Sequence, residues 1–415
     1  MFCGQIEISR PAQLIVKLAA GFFAFAALAA NACAQDQTNP STMAQNMDAI
    51  FAPLVTPQSP GVAVLVVQDG NKIFERGYGL RDLHTSAKID PRTNFRLASC
   101  SKQFTAMAVM LLVHDGKLRY DQKLTDVFPD FPTYGRAISI RNLLNHTGGL
   151  QNYETLMEQP ENKGKWNEDH QIQDVEVLTL LEQTDRGMSA PGTQWYYSNS
   201  GYVVLGLVVA KVSGQPFPEF LRERIFAPLN MNNTVAYVKG KNEITNRAYG
   251  HTKEANTWKQ TDQSSTSATL GDGGIYSSLE DLAKWDEALR SNKLLSKQEM
   301  QPALTPVTLQ LTSINIDAQP RWPTNSDRPE GTPASYGFGW FLDPWRTHSR
   351  MWHYGETMGF HSYIVRFGLQ NAVSVDDPLA GVTIIVLCNR TDISPEYIAL
   401  EIATLFLPYQ TRIEF

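Results

Sequence analysis

Short runs of β-branched and aromatic residues stand near both ends of this chain, and helical patterns fill the space between them. "GVAVLVVQDGNKIFERGYGL", Gly61 to Leu80, reads as two strands around a turn at Asp69-Gly70. "YGFGWFL", "SYIVRF" and "VTIIVLC" return to strand character late in the chain, and Pro395 to Leu407 reads as a closing helix. From Leu118 to Thr266 the patterns are helical, with polar loops. The length of 415 residues would allow two or three domains. Strands at both ends of a helical middle point instead to one α/β sheet domain with a mostly helical insertion.

Within the middle, "GYVVLGLVVAKVSG" is an apolar helix closed by Gly214. "EDLAKWDEALR", Glu280 to Arg290, is amphipathic with Ser278 as its cap. Ser313 to Ser335 is rich in Pro and Asp and reads as a surface loop.

At the N-terminus Arg10 and Lys17 precede the apolar run "LAAGFFAFAALAA", and "NACAQ" follows. Basic residues, a short apolar core and small residues at Ala32 and Ala34 match an export signal cut after Ala34. A retained anchor, or a lipid on Cys33, is the alternative. Net charge is -6 with no basic block, which argues against nucleic acid and anionic membranes as partners. Of four cysteines, Cys3 and Cys33 fall in the leader, leaving Cys100 and Cys388, too few for a disulfide framework.

The chemistry concentrates in three places. The first is "RLASCSKQFTAMAVMLLVHDGKL", where Ser99 stands three residues before Lys102 at the start of an apolar helix. Residues at i and i+3 share a helix face, so hydroxyl and amine meet. An apolar setting favours the neutral amine, which can take the serine proton. Phe104, Met107, Ala108 and Leu111 form the buried stripe of that helix, which ends near Asp115-Gly116. Cys100 adjoins Ser99 and reads as a small buried thiol. A capping serine beside a snorkelling lysine is the bland alternative.

The second place is Tyr197-Ser198-Asn199, before the apolar helix. A phenol can relay a proton and an amide can orient a lysine or a substrate carbonyl. Otherwise Asn199 merely caps the helix. The third is "WHYGETMGFHSYIVRF". There His353 is a candidate to donate to substrate or to assist proton transfer, and Gly355 would let a substrate backbone approach a strand edge. Trp340, Trp352 and Tyr196 line a pocket or, more simply, pack the core. A Gly-x-Ser-x-Gly elbow is missing: Gly187-Met-Ser189-Ala-Pro191 fails at its last position. There is no His-Glu-x-x-His zinc motif.

In this order the three motifs resemble the serine β-lactamase and penicillin-binding-protein superfamily, most closely the class C β-lactamase-related hydrolases and esterases. "LLNHTGGL", "GGIYSSLEDLAKW", "GFHSYIVRF" and "VLCNR" resemble further family segments, so the likeness spans residues 45–408. It implies an antiparallel sheet flanked by helices, the β-lactamase/transpeptidase-like fold. It makes Ser99 the acylated nucleophile, Lys102 the base, Tyr197 a partner in proton transfer, and Asn199 the orienting amide. The backbone N–H groups of Ser99 and Glu356 would form the oxyanion hole, and His146 would be structural. No cofactor or metal is implied. The partner is a small-molecule or peptide substrate. Where relatives carry Lys-Thr-Gly, this chain has His353-Tyr354-Gly355 and then Glu356, which suits a substrate without a carboxylate at that place. An ester, amide or peptide substrate fits, with a slow penicillin-recognising sensor, D,D-peptidase or β-lactamase as the alternative.

Overall fold

The structure, a computed structural model, describes residues 40–307, 335–368 and 377–408. The leader, with Cys3 and Cys33, and all of the proline-rich loop but Ser335 lie outside the described residues.

The chain opens with helix α1 (Pro40–Phe51), followed by strands β1 (Val62–Gln68) and β2 (Asn71–Tyr78). Asp69 and Gly70 both have positive φ, the two-residue hairpin turn that an Asp-Gly pair favours. A 3₁₀ turn (Ala98–Ser101) leads into helix α2 (Lys102–His114). The middle of the chain supplies short helices and α3 (Asn199–Ser213), closed by Gly214 in the left-handed region. It also holds a strand pair, His251–Glu254 with Thr257–Gln260. Helix α4 (Leu279–Arg290) follows, with the Ser278 hydroxyl accepting from the Asp281 N–H.

The late strands are β3 (Phe341–Trp345), β4 (His348–Thr357), β5 (Phe360–Phe367) and β6 (Val382–Cys388), before the closing helix α5 (Pro395–Thr404). The expected strand from Tyr336 begins only at Phe341. Tyr336 makes a single bridge back to Phe341, and Gly339 takes positive φ between them. The six strands form one antiparallel sheet in the order β3-β4-β5-β6-β1-β2. Val62 pairs with Cys388, so an early strand and a late strand lie side by side inside the sheet.

Strand alternation splits the apolar residues between two cores. Ala63, Leu65, Val67, Ile385 and Leu387 face α2, α3 and α4. Val62, Val64, Val66, Ile384 and Val386 face α1 and α5. The fold is thus α+β, helices covering both faces of an antiparallel sheet. Buried Asn389, just after β6, ties the layers together. Its oxygen accepts from the Gly61 N–H at 2.7 Å, and its amide donates to the carbonyls of Leu80 and Tyr249. Among the described residues no helix is long and apolar enough to cross a membrane.

Candidate active site

Strand β4 is longer than its neighbour β3. The β3 ladder ends at Phe341 opposite Trp352, so from His353 to Thr357 one side of β4 carries no strand partner among the described residues. The two-residue turn at Met358-Gly359 makes Thr357 and Phe360 a hydrogen-bonded pair. Alternation along the ladder then aims the Tyr354 and Glu356 backbone groups away from β5, toward that open side.

The 3₁₀ turn carrying Ser99 packs against this part of β4. Gly355 is the contact point: a Cβ there would stand 2.1 Å from the Leu97 carbonyl oxygen and 3.3 Å from the Cys100 nitrogen. Only a glycine admits the turn. The sequence had suggested that Gly355 makes room for a substrate. The structure shows it also making room for the backbone of the turn that carries Ser99. Ala98, just before Ser99, has φ of +49°, a conformation costing about 1–2 kcal/mol for a residue with a Cβ. The Cys100 thiol is buried and donates to the His353 carbonyl, and burial pushes its titration far up, so it is the small packed thiol expected.

Lys102 is fully buried at the first turn of α2. Its Nζ donates to Ser99 Oγ at 3.0 Å, to Asn199 Oδ1 at 2.9 Å and to the Asp272 carbonyl at 2.9 Å. These three acceptors satisfy the three protons of an ammonium. Of the three, only Ser99 has a proton of its own to return. When the amine is neutral, its two remaining hydrogens stay with the Asn199 and Asp272 oxygens, and the lone pair points at the Ser99 hydroxyl. Burial pulls Lys102 down to about 8, against the opposing charges of Asp272 and Glu154.

Ser198, not Asn199, caps α3: its hydroxyl accepts from the Gly201 N–H at 3.0 Å. Asn199 is therefore free to turn its side chain to Lys102. The Tyr197 ring lies 4.9 Å from the Lys102 nitrogen. Its phenol interacts with Ser99 but falls short of a formed hydrogen bond, and it is buried with no other hydrogen-bond partner among the described residues. Burial raises its titration, so the resting phenol is protonated.

His146 packs against Tyr197 with ring centres 4.5 Å apart and the rings tilted by 39°, and its Nδ1 accepts from the Ser198 N–H. Burial and the Lys102 charge lower its titration, so it is a neutral wedge holding Tyr197 in place. His353 is also fully buried. Its Nδ1 is 2.6 Å from the Tyr354 carbonyl, which can only accept, so that nitrogen carries the proton. The Nε2 then accepts from the Tyr336 hydroxyl at 3.0 Å. Burial, with the Lys102 charge, pulls His353 down to about 3. Both nitrogens are committed to the protein. A substrate-donating His353 is not what this geometry offers; the ring instead packs beside Tyr197, centres 6.1 Å apart. Trp340 and Trp352 are buried packing residues, and the Glu356 side chain is exposed.

Two carboxylates escaped the reading of the sequence. Glu154 accepts from Asn199 Nδ2 at 2.9 Å. Asp272 is buried behind Lys102; its Oδ2 accepts from the Tyr153 hydroxyl at 3.3 Å and its Oδ1 has no partner. Each lies next to a recognised segment, Glu154 after "LLNHTGGL" and Asp272 before "GGIYSS". That adjacency was the available signal.

A fold of this topology with a serine, a buried lysine, a tyrosine and an asparagine converging invites comparison with known proteins. The sequence profile named Beta-lactamase matches residues 47–405. The chain belongs to the Beta-lactamase family. One relative in this family is penicillin-binding protein 4* of Bacillus subtilis (strain 168), 30% identical over 319 residues. The match covers 73% of this chain and 64% of that relative's length, so the chain spans just under two thirds of it. The octameric penicillin-binding protein homologue from Pyrococcus abyssi shares the fold with a TM-score of 0.68 at 22% identity, over 89% of this chain and 78% of that one. The D-amino acid amidase from Ochrobactrum anthropi SV3, solved with L-phenylalanine amide, shares it with a TM-score of 0.67 at 24% identity, over 90% and 97%. The Beta-lactamase family member described here thus has the serine-hydrolase fold of penicillin-binding proteins and amidases.

Proposed function

We propose that this protein is an exported serine hydrolase that cleaves a small ester or an amide or peptide bond through an acyl-enzyme on Ser99. The observation that carries the reading is the hydrogen bonding of Lys102, which leaves a neutral amine no direction for its lone pair except the Ser99 hydroxyl. Ser99 Oγ attacks the carbonyl carbon while its proton passes to Lys102. The tetrahedral oxygen is held by the backbone N–H groups of Ser99 and Glu356. As the bond to the leaving group breaks, that group takes the proton, with the Tyr197 phenol as the bridge. Water then attacks the acyl carbon on Ser99 and gives its proton to the neutral Lys102; as the bond to Ser99 Oγ breaks, that proton returns to Oγ with the Tyr197 phenol as relay, and the acid departs.

At the third motif the buried neutral His353 and Tyr354 stand where relatives place a cation and a small hydroxyl, and the exposed Glu356 follows. Burial, and the negative charges of Glu356 and Glu396, push Tyr354 up to about 12. A negative environment disfavours a substrate carboxylate there, which supports an ester or amide over a penicillin. The amidase among the structural neighbours fits this choice. Export rests on the leader-like sequence through Ala34.

The test is steady-state hydrolysis of a short-chain p-nitrophenyl ester by the chain from Gln35 onward, beside Ser99→Ala, with intact mass recorded during turnover. Turnover and a transient acyl adduct, both lost in the variant, are expected. Equal rates in the two proteins would remove Ser99 from the mechanism. A stable adduct without turnover would make the protein a sensor.

A further inference from the structure

The amide of Asn199 has two faces, an oxygen that accepts and an NH2 that donates. Which of them meets Lys102 decides what the lysine can do. With the oxygen toward the amine, one lysine hydrogen is held there and the lone pair remains for Ser99. With the NH2 toward it, the lone pair of a neutral amine would be drawn to Asn199 and away from the nucleophile. Nothing in Asn199 itself chooses between the two.

Glu154 makes the choice. A carboxylate can only accept, and its Oε1 takes a hydrogen from Asn199 Nδ2 at 2.9 Å, leaving Oδ1 for Lys102 at 2.9 Å. Glu154 is itself held in place. It is the second residue of the short helix Tyr153–Met157, whose cap is Asn152, with Oδ1 accepting from the Thr155 N–H. The Tyr153 N–H donates to the hydroxyl of Ser200, which donates in turn to the Gln151 carbonyl. Ser200 follows Asn199 on α3, so the segment bearing the carboxylate is pinned to the segment bearing the amide.

The other titratable groups around the amine do not substitute for it. Asp272 contributes its backbone carbonyl to Lys102 and, among the described residues, makes no hydrogen bond to the Asn199 amide. His146 and His353 are held neutral, and Tyr197 and Cys100 are held protonated.

We infer that Glu154 is a positioning residue for the hydrolytic reaction: it fixes the Asn199 amide with its oxygen toward Lys102 and sets a second negative charge, after Asp272, near the ammonium. The inference rests on the reading of Lys102 as the base, and it adds a residue that acts through Asn199 without touching substrate. The Coulombic support for the ammonium that Glu154 gives is the charge half of that role.

The experiment compares wild type, Glu154→Gln and Glu154→Ala in two ways. One is the pH titration of Lys102, followed by the NMR shift of its ¹³C-labelled ε-carbon and assigned with Lys102→Arg; it needs no turnover. The other is kcat and KM on the p-nitrophenyl ester. Both variants remove the charge, so the Lys102 midpoint should fall in each by roughly half a pH unit or more. Glutamine keeps an acceptor for Asn199, so its kcat should stay within about threefold, while alanine frees the amide and should lower kcat roughly tenfold with little change in KM. An unmoved Lys102 midpoint in both variants, or a wild-type kcat in Glu154→Ala, would overturn the inference. Retained turnover in Ser99→Ala would instead refute the hydrolase mechanism, and the NMR titration would still judge Glu154.

Discussion

Replacing Gly355 by alanine adds one methyl group at the tightest contact in the site. The new Cβ would lie 2.1 Å from the Leu97 carbonyl oxygen, whereas real Cβ contacts essentially never fall below 3.0 Å. The turn bearing Ser99 or strand β4 must therefore retreat by about 0.9 Å, and both obstacles are backbone, which cannot swing aside as a side chain does. Overpacking of this kind costs about 1–3 kcal/mol of stability. The larger effect is on geometry. A displacement near 1 Å between nucleophile and partner groups costs about 100-fold in rate, or about 2.7 kcal/mol of barrier. Here it also separates the Ser99 and Glu356 N–H groups, which sit on the two pieces being pushed apart. Gly355→Ala should then lose roughly two orders of magnitude in kcat/KM on the p-nitrophenyl ester while remaining folded by circular dichroism. A variant within threefold of wild type, with an unchanged melt, would show that turn and strand separate freely, and would refute the claim that Gly355 sets the position of Ser99.

Other outcomes can be checked on the same protein. Only the neutral amine accepts the serine proton, so kcat/KM should climb about tenfold per pH unit up to about 8 and level off above it; activity that falls between pH 6 and 8 would exclude Lys102 as the base. The linkage has the same sign, because the folded value lies below the ordinary lysine value. The destabilisation from burying the ammonium is full below about pH 8 and fades as pH rises toward the ordinary value, so this group alone makes urea stability increase over that window. Asn389→Ala strips a buried amide that serves the Gly61 N–H and the carbonyls of Leu80 and Tyr249. It should cost at least about 3 kcal/mol in urea denaturation, at about 1 kcal/mol or more for each of the three abandoned groups; a loss under about 1 kcal/mol would mean that water replaces it.

The parts of this protein legible in sequence are those where local rules and tertiary demands agree. The Asp69-Gly70 hairpin, the Gly214 helix end and the Ser278 cap are set by residues within a few positions of one another. So is the approach of Lys102 to Ser99, which needs only one turn of helix. What stayed hidden depends on distance along the chain. Nothing near Glu154 announces that it meets Asn199, 45 residues on, and nothing near Asp272 announces that its carbonyl meets Lys102, 170 residues back. The close approach of Gly355 to the Leu97 carbonyl is hidden for the same reason, because a backbone atom leaves no trace in residue type. His353 was read as a donor because the sequence shows a histidine but not the Tyr354 carbonyl and Tyr336 hydroxyl that occupy it.

Because β1 pairs with β6 at the middle of the sheet, the Gly61–Asn389 contact closes a loop of 328 residues. Closing a loop that long costs roughly 5 kcal/mol in chain entropy before any contact rewards it. The strand that pins the Ser99 turn, β4, also belongs to the late part of the chain. A nascent chain emerging from its N-terminus therefore holds its serine and lysine long before it holds the strand that aligns them. An unfinished or clipped chain that lacks β4 keeps Ser99 and Lys102 one turn apart but loses the strand against which their turn packs.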